Sequence, residues 1–145
     1  MSSPGRYRAS GTPLAERRDY SEHAQRLFDD TGAQAVVLFT GDGIIAGRNQ
    51  EASQEQAEQA SAICTSLFST ALTASELFPV DGAGELPLRQ VTVEDGNRFV
   101  IVAQAGSNVR VVVYTHPGAD LGAVSYKIAR FAEYFAPKVA GRAQA

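Results

Sequence analysis

Few residues in this chain have chemistry to offer. They are His23, His116, Cys64, the aspartate of Gly41-Asp42-Gly43, and the pair Asp81 and Glu85 in a Gly-rich segment. Glycines around an aspartate can cradle a phosphate where they open a helix, but this triplet separates two strand-like runs and reads as a plain hairpin turn. No GxxxxGK[ST] pattern is present, so the chain is not expected to bind a nucleoside triphosphate. Two histidines and one cysteine are too few for a closed metal site, and each histidine reads as a surface or hydrogen-bonded side chain. Cys64 falls on the apolar face of a long helical run, where an inert small hydrophobe is the ordinary role. Nothing in the pattern brings Asp81 and Glu85 together as an acid–base pair, and Asp95 and Asp120 belong to a turn and a helix cap. Neither a nucleophile elbow nor a Ser-His-Asp pattern is recognisable. The sequence therefore reads as a non-enzyme, with no catalytic, cofactor-binding or metal residues.

The elements around these residues are better defined. Tyr20, Ala24, Leu27, Phe28 and Thr31 share one face of a helix starting at Thr12 or Asp19, and Gly32 stops it. Residues 34–40 form an almost uninterrupted apolar run, as in a strand covered on both faces, and 44–47 return as a second strand. Pro79 and residues 82–87 break regular structure. Residues 88–94 alternate, with Val91 and Val93 on one side; Gly96 and Asn97 turn the chain into a strand over 99–104; and 109–115 make a fifth, central strand. Asp120 caps a last helix whose narrow apolar face is Leu121, Val124, Ile128, Phe131, Ala132 and Phe135, and Pro137 is expected to end it. Strands joined by tight turns are antiparallel, so the pattern predicts an α/β fold around a single five-stranded sheet, with a long helix after strand 2 and helices at both ends. The expected boundaries are a tail over 1–13, a domain over 14–136 and a tail over 137–145.

The long helix, 53–78, organises the rest. It contains no Gly or Pro, and Ser53 with Gln56 has capping-box spacing. Ala57, Ala60, Ile63, Cys64, Leu67, Phe68, Ala71, Leu72, Ala74 and Phe78 cover about half its circumference, wider than the usual ~100° stripe. The back carries Ala62, Ser66, Ser69, Thr70 and Thr73, and no charge occurs from Ala60 to Ser75, whereas a solvated helix back normally carries Lys, Glu and Arg. Those five small residues are the expected contact with a second copy of the chain. A core helix buried within a monomer is the alternative.

Composition sets further bounds. The 145 residues fit one domain, and the net charge of −3 without a long basic run argues against nucleic acid as a partner. One cysteine allows no internal disulfide, and neither a signal peptide nor a membrane-spanning run is visible, which predicts a cytoplasmic protein without direct membrane insertion.

The segments AQAVVLFTGDGIIAG (33–47), EQAEQASAICTSLFS (55–69) and VTVEDGNRFVIVAQAGSNVRVVVYTHPGADLGAVSYKIARF (91–131), with the short helix before Gly32, resemble the Roadblock family of dynein-light-chain-like domains, including bacterial MglB-like regulators. The resemblance spans roughly 15–136. It implies a Roadblock/profilin-like sheet of order 2-1-5-4-3, homodimerisation through the long helix and sheet, and binding to a small Ras-like GTPase. Similar proteins of high-GC bacteria are associated with sensor histidine kinases, so an adaptor for such a kinase, without effect on GTP turnover, is the alternative. Recruitment to a membrane would then come through a partner. The sequence leaves open which GTPase or kinase that is. Arg48, Arg89, Arg98, Arg110 and Arg130 could neutralise transition-state charge in a partner, but most fall within strands or a helix rather than at a loop tip.

Overall fold

The computed structural model describes residues 19–81 and 88–144. The elements are α1 (Ser21–Thr31), β1 (Ala35–Thr40), β2 (Ile45–Arg48), α2 (Gln54–Glu76), β3 (Gln90–Asp95), β4 (Arg98–Gln104), β5 (Val109–Tyr114) and α3 (Leu121–Gln144). All strand pairs are antiparallel, and the sheet order is β2-β1-β5-β4-β3. Expected and observed strand ends agree to within two residues. The two apolar runs, around Val36–Phe39 and Val111–Val113, occupy the middle of the sheet and are almost fully buried.

Both sheet faces are covered, which is why those runs do not alternate. On one face Val36, Leu38, Ile101, Ala103, Val111 and Val113 pack against Ala24 and Leu27 of α1 and Val124, Ile128 and Phe135 of α3. Tyr20 meets Phe135 edge to face at 4.9 Å, tying the start of α1 to α3. On the other face Val37, Phe39, Val102 and Val112 pack against Ala57, Ala60, Cys64 and Phe68 of α2.

Local chemistry sets the element ends. Gly32 adopts a left-handed conformation, φ 64°, and its N–H donates to the Phe28 carbonyl, closing α1. The capping box of α2 is complete: the Gln56 N–H donates to Ser53 Oγ and the Ser53 N–H to Gln56 Oε1, each at 3.0 Å. Asp120 Oδ1 accepts from the Ala123 N–H at 3.1 Å.

Two expectations are corrected. α2 ends at Glu76, so Leu77 and Phe78 follow the helix. Pro137 does not stop α3, which continues to Gln144, so 137–144 is helix rather than tail. A proline in a helix loses one bond and crowds the carbonyl four residues back, at a cost of about 3 kcal/mol. Packing opposes that cost: Val139, beyond the proline, lies against the main core, and Ala136 and Val139 border Gly106. The tail expected over 1–13 and the break over 82–87 lie outside the described residues.

The β2 edge is closed by α1. The Tyr20 N–H donates to the Ala46 carbonyl at 2.7 Å, and Ser21 Oγ accepts from the Arg48 N–H at 3.3 Å. A Cβ on Gly47 would lie 2.5 Å from the Tyr20 carbonyl carbon, so only glycine permits this approach. Asn49 continues the sheet with its side chain: fully buried, it accepts the Val36 N–H at 2.8 Å through Oδ1 and donates to Glu51 at 3.1 Å. Asn49→Ala orphans that buried N–H. It should cost about 2 kcal/mol and lower Tm by several degrees in thermal melts, while Gln50→Ala, at an exposed side chain, should leave Tm nearly unchanged.

Candidate interaction surface

The outward side of α2 and the open part of the sheet beside it form the most distinctive surface. The buried residues of α2 are Ala57, Ala60, Ser61, Cys64 and Phe68, a narrower face than the apolar pattern predicts. Ile63 is 66% exposed, Leu72 is at the margin of exposure, and Phe78 is 85% exposed. The expected contact residues Ala62, Ser66, Ser69, Thr70 and Thr73 are all exposed, and nothing within the described residues covers them. Among the described residues α2 is therefore not buried along its whole length.

The helix sits toward one side of the sheet. Its hairpin-facing flank is tight: Ser61 is fully buried, and a Cβ on Gly43, φ 87°, would lie 3.3 Å from Thr65 Oγ1. Asp42 therefore belongs to a turn packed on α2. Thr40 Oγ1 donates to the Asp42 carboxylate, and the Gly43 N–H donates to the Thr40 carbonyl at 2.9 Å. The opposite flank is open. A groove of about 440 Å³ runs between Gln56, Gln59, Ala60 and Ile63 of α2 and Tyr114 and Arg98 of the sheet. Further out, Val91, Val93 and Val100 are only partly covered, and Val93 is 37% exposed.

The outer edge of β3 is also open. The Gln104 N–H donates to the Arg89 carbonyl at 3.0 Å, which fixes the alternation: Arg89, Val91 and Val93 bond inward to β4, and Gln90, Thr92 and Glu94 turn their backbone groups outward. Among the described residues no backbone group pairs with that edge.

Four of the seven hydroxyls of α2, those of Ser61, Thr65, Thr73 and Ser75, are bonded within the helix. Ser61 Oγ donates to Ala57 O at 2.8 Å, Thr65 Oγ1 to Ser61 O at 2.7 Å, Thr73 Oγ1 to Ser69 O at 3.2 Å and Ser75 Oγ to Leu72 O at 2.8 Å. Of the expected contact residues, Thr73 has its hydroxyl back-bonded in this way, and a back-bonded hydroxyl loses water at low cost.

The five arginines do not gather into a site. Arg48 is held by the Ala52 carbonyl and Gln54, and Arg98 by Asp95 and Gln34. Arg110 lies 4.3 Å over the Phe68 ring and donates to Gln104 at 2.8 Å, with its Nη1 buried and unpaired. Arg130 lies by Glu133 and Tyr126, and Arg89 is exposed at the start of β3. No group of three or more potential metal ligands occurs among the described residues, and no described helix is long and apolar enough to cross a membrane.

A single domain model, the Roadblock/LC7 domain, matches residues 20–115. The chain belongs to the Roadblock/LC7 family. No curated protein matches it at sequence level. A Roadblock/LC7 domain from Streptomyces avermitilis superposes with a TM-score of 0.73 at 22% identity, over 83% of this chain and 98% of that one. Myxococcus xanthus MglB superposes at 0.66 and 17% identity, over 83% and 90%. Acanthamoeba castellanii profilin IA superposes at 0.60 and 16%, over 83% and 98%. At these identities the likeness shows the fold, and the Roadblock sheet order 2-1-5-4-3 is the one observed here.

Sequence reasoning missed the open flank. The helical period identifies an uncharged back but not which side of it the sheet leaves free, and β3 as the unpaired edge emerges only from the strand order. Cys64 has the inert setting expected: it is buried, its Sγ lies 3.9 Å from Tyr114 Oη, and burial pushes the thiol pKa up. Burial also raises the Tyr114 phenol. For both groups the folded pKa lies above the unfolded one. Their contribution to stability is complete below the unfolded values, and it falls as pH rises past 9.0, where the unfolded thiol ionises first. Denaturant titrations should show stability dropping between about pH 8 and 10.5, with a smaller drop in Cys64→Ala. An equal drop in both proteins contradicts this assignment.

Proposed function

We propose that this Roadblock/LC7 protein is a non-enzymatic homodimeric regulator or scaffold that binds a small Ras-like GTPase and modulates its nucleotide cycle or localisation. The observation that carries the first half is the uncovered, uncharged flank of α2 beside a partly bare sheet and an open β3 edge. A second copy satisfies all three at once: its α2 fills the groove along Gln56, Gln59 and Ile63 and runs on past Thr70, about two turns further along the helix, and its β3 extends the sheet. Ala62, Ser66, Ser69 and Thr73 border that contact, with Ile63 nearer its centre than the helical period implied.

The GTPase follows from the family resemblance and from the lack of phosphate-binding machinery in this chain. Arg48, Arg98, Arg110 and Arg130 are engaged with their own chain, so of the five candidates an arginine finger would fall to Arg89, exposed at the start of β3. The regulator acts indirectly: its surface selects one switch-loop conformation of the partner and shifts that population.

Light scattering at micromolar concentration should give a dimer mass, and Ile63→Glu or Thr70→Glu should weaken association by at least ~10-fold without unfolding an already exposed position. A wild-type monomer at high concentration removes the dimer. Pull-down of candidate GTPases in GDP and GTP forms should show nucleotide-dependent capture. In single-turnover hydrolysis each Arg→Ala variant should lose far less than the ~10³-fold expected of an arginine finger. A variant that binds normally yet abolishes stimulation overturns the indirect mechanism.

A further inference from the structure

Charge in this chain is segregated by element. Residues 19–120 hold five arginines and fourteen acidic side chains, a net −9, whereas α3 holds Lys127, Arg130, Lys138 and Arg142 against Glu133 alone, a net +3. Residues 1–18 add four arginines against Glu16, another +3, and they join the structure at Asp19, beside the Tyr20 ring that packs on α3.

The cations of α3 are interleaved with exposed tyrosines at a spacing of four. Tyr126, Arg130, Tyr134 and Lys138 follow one another along the outward side, with Tyr126 62% and Tyr134 52% exposed. Each cation rests on its neighbour's ring: the Arg130 guanidinium lies 6.0 Å from the Tyr126 centroid and Nη1 donates to its hydroxyl at 3.3 Å, and Lys138 Nζ lies 4.4 Å from the Tyr134 centroid. Lys138 beside it, and less strongly Arg26 of α1, lower the pKa of the Tyr134 phenol. Glu133, 4.0 Å from Arg130, is the one carboxylate of α3. On α1, Glu22 and Asp29 line a groove with Gln25, Gln50, Arg48 and Arg26, so Arg26 stands between these carboxylates and Tyr134. Asp30 sits near Lys127, which donates to its carbonyl at 2.8 Å.

We propose that the Tyr126–Arg130–Tyr134–Lys138 stripe of α3 is a peripheral docking surface for an anionic lipid bilayer. Cations there meet lipid phosphates, while tyrosine rings, with an apolar body and a polar tip, sit at headgroup depth. The four side chains of the stripe line none of the grooves described above, and an outward helix face of this kind fits a broad anionic surface better than a single acidic peptide. It is adsorption, not insertion, and it stands apart from the α2 surface on the opposite face of the sheet. Neither the dimer nor a GTPase is required for it.

Co-sedimentation of the full chain tests this, using vesicles of phosphatidylcholine alone and vesicles in which about a third of the lipid is phosphatidylglycerol. The protein should partition onto the anionic vesicles only and be released by ~0.5 M salt. The double variant Arg130→Glu/Lys138→Glu should bind at least ~20-fold more weakly, at roughly fivefold per cation, with unchanged circular dichroism. Ile44→Glu, at an exposed position of the β1–β2 turn away from α3, controls for a general charge effect and should change binding less than ~2-fold. Absence of binding, equal binding to neutral vesicles, or Ile44→Glu matching the double variant would each overturn the proposal. The first of these would leave an acidic protein as the chemistry the stripe fits.

Discussion

A helix of 23 residues laid on strands of four to seven cannot bury its whole length, and much of this molecule follows from that mismatch. At ~1.5 Å per residue α2 spans about 35 Å, whereas a six-residue strand spans about 20 Å. Contact with the sheet therefore stops at Phe68, and every later helical residue is at least partly exposed. The sheet is in turn wider than one helix. α2 is drawn to the β1–β2 side by the close approach of Gly43 to Thr65 and by the buried Ser61, leaving the β4–β3 side incompletely covered.

The two edges of the sheet are treated differently. At β2 the start of α1 supplies both a donor and an acceptor, and Asn49 carries the pairing on through its side chain. β3 has no such cover among the described residues, although an exposed edge is a template for pairing with another chain. The open edge and the open helix flank lie on the same side of the domain, so a single partner could close both.

Much of the fold was legible because its signals are strong and local. The uninterrupted apolar run of 36–39 could only be a strand covered on both faces, the Ser53–Gln56 pair marked the start of α2, and Gly32 ended α1. What was not legible depends on neighbours distant in sequence. Asn49 reads as a turn residue until Val36 is placed beside it. Pro137 reads as a stop until Val139 is seen to pack on the core. On α2 the period put Ser66, Ser69, Thr70, Ala62 and Thr73 on the side away from the apolar face, and all five are exposed among the described residues. It could not tell that Ile63, assigned to the buried face, would project into solvent beside the groove, because that depends on where α2 lies across the sheet.

The central claim is that the bare flank of α2 and the β3 edge are covered together by a second copy of the chain. Hydrogen exchange measured as a function of protein concentration tests it most directly, since it reads the backbone amides themselves. The account predicts that the outward amides of Gln90, Thr92 and Glu94 become more protected as concentration rises. Their protection should increase in parallel with the loss of monomer, while amides of the closed β2 edge stay constant. Fast, concentration-independent exchange at all three β3 amides in a sample that sediments as a dimer would place the interface elsewhere and contradict the account.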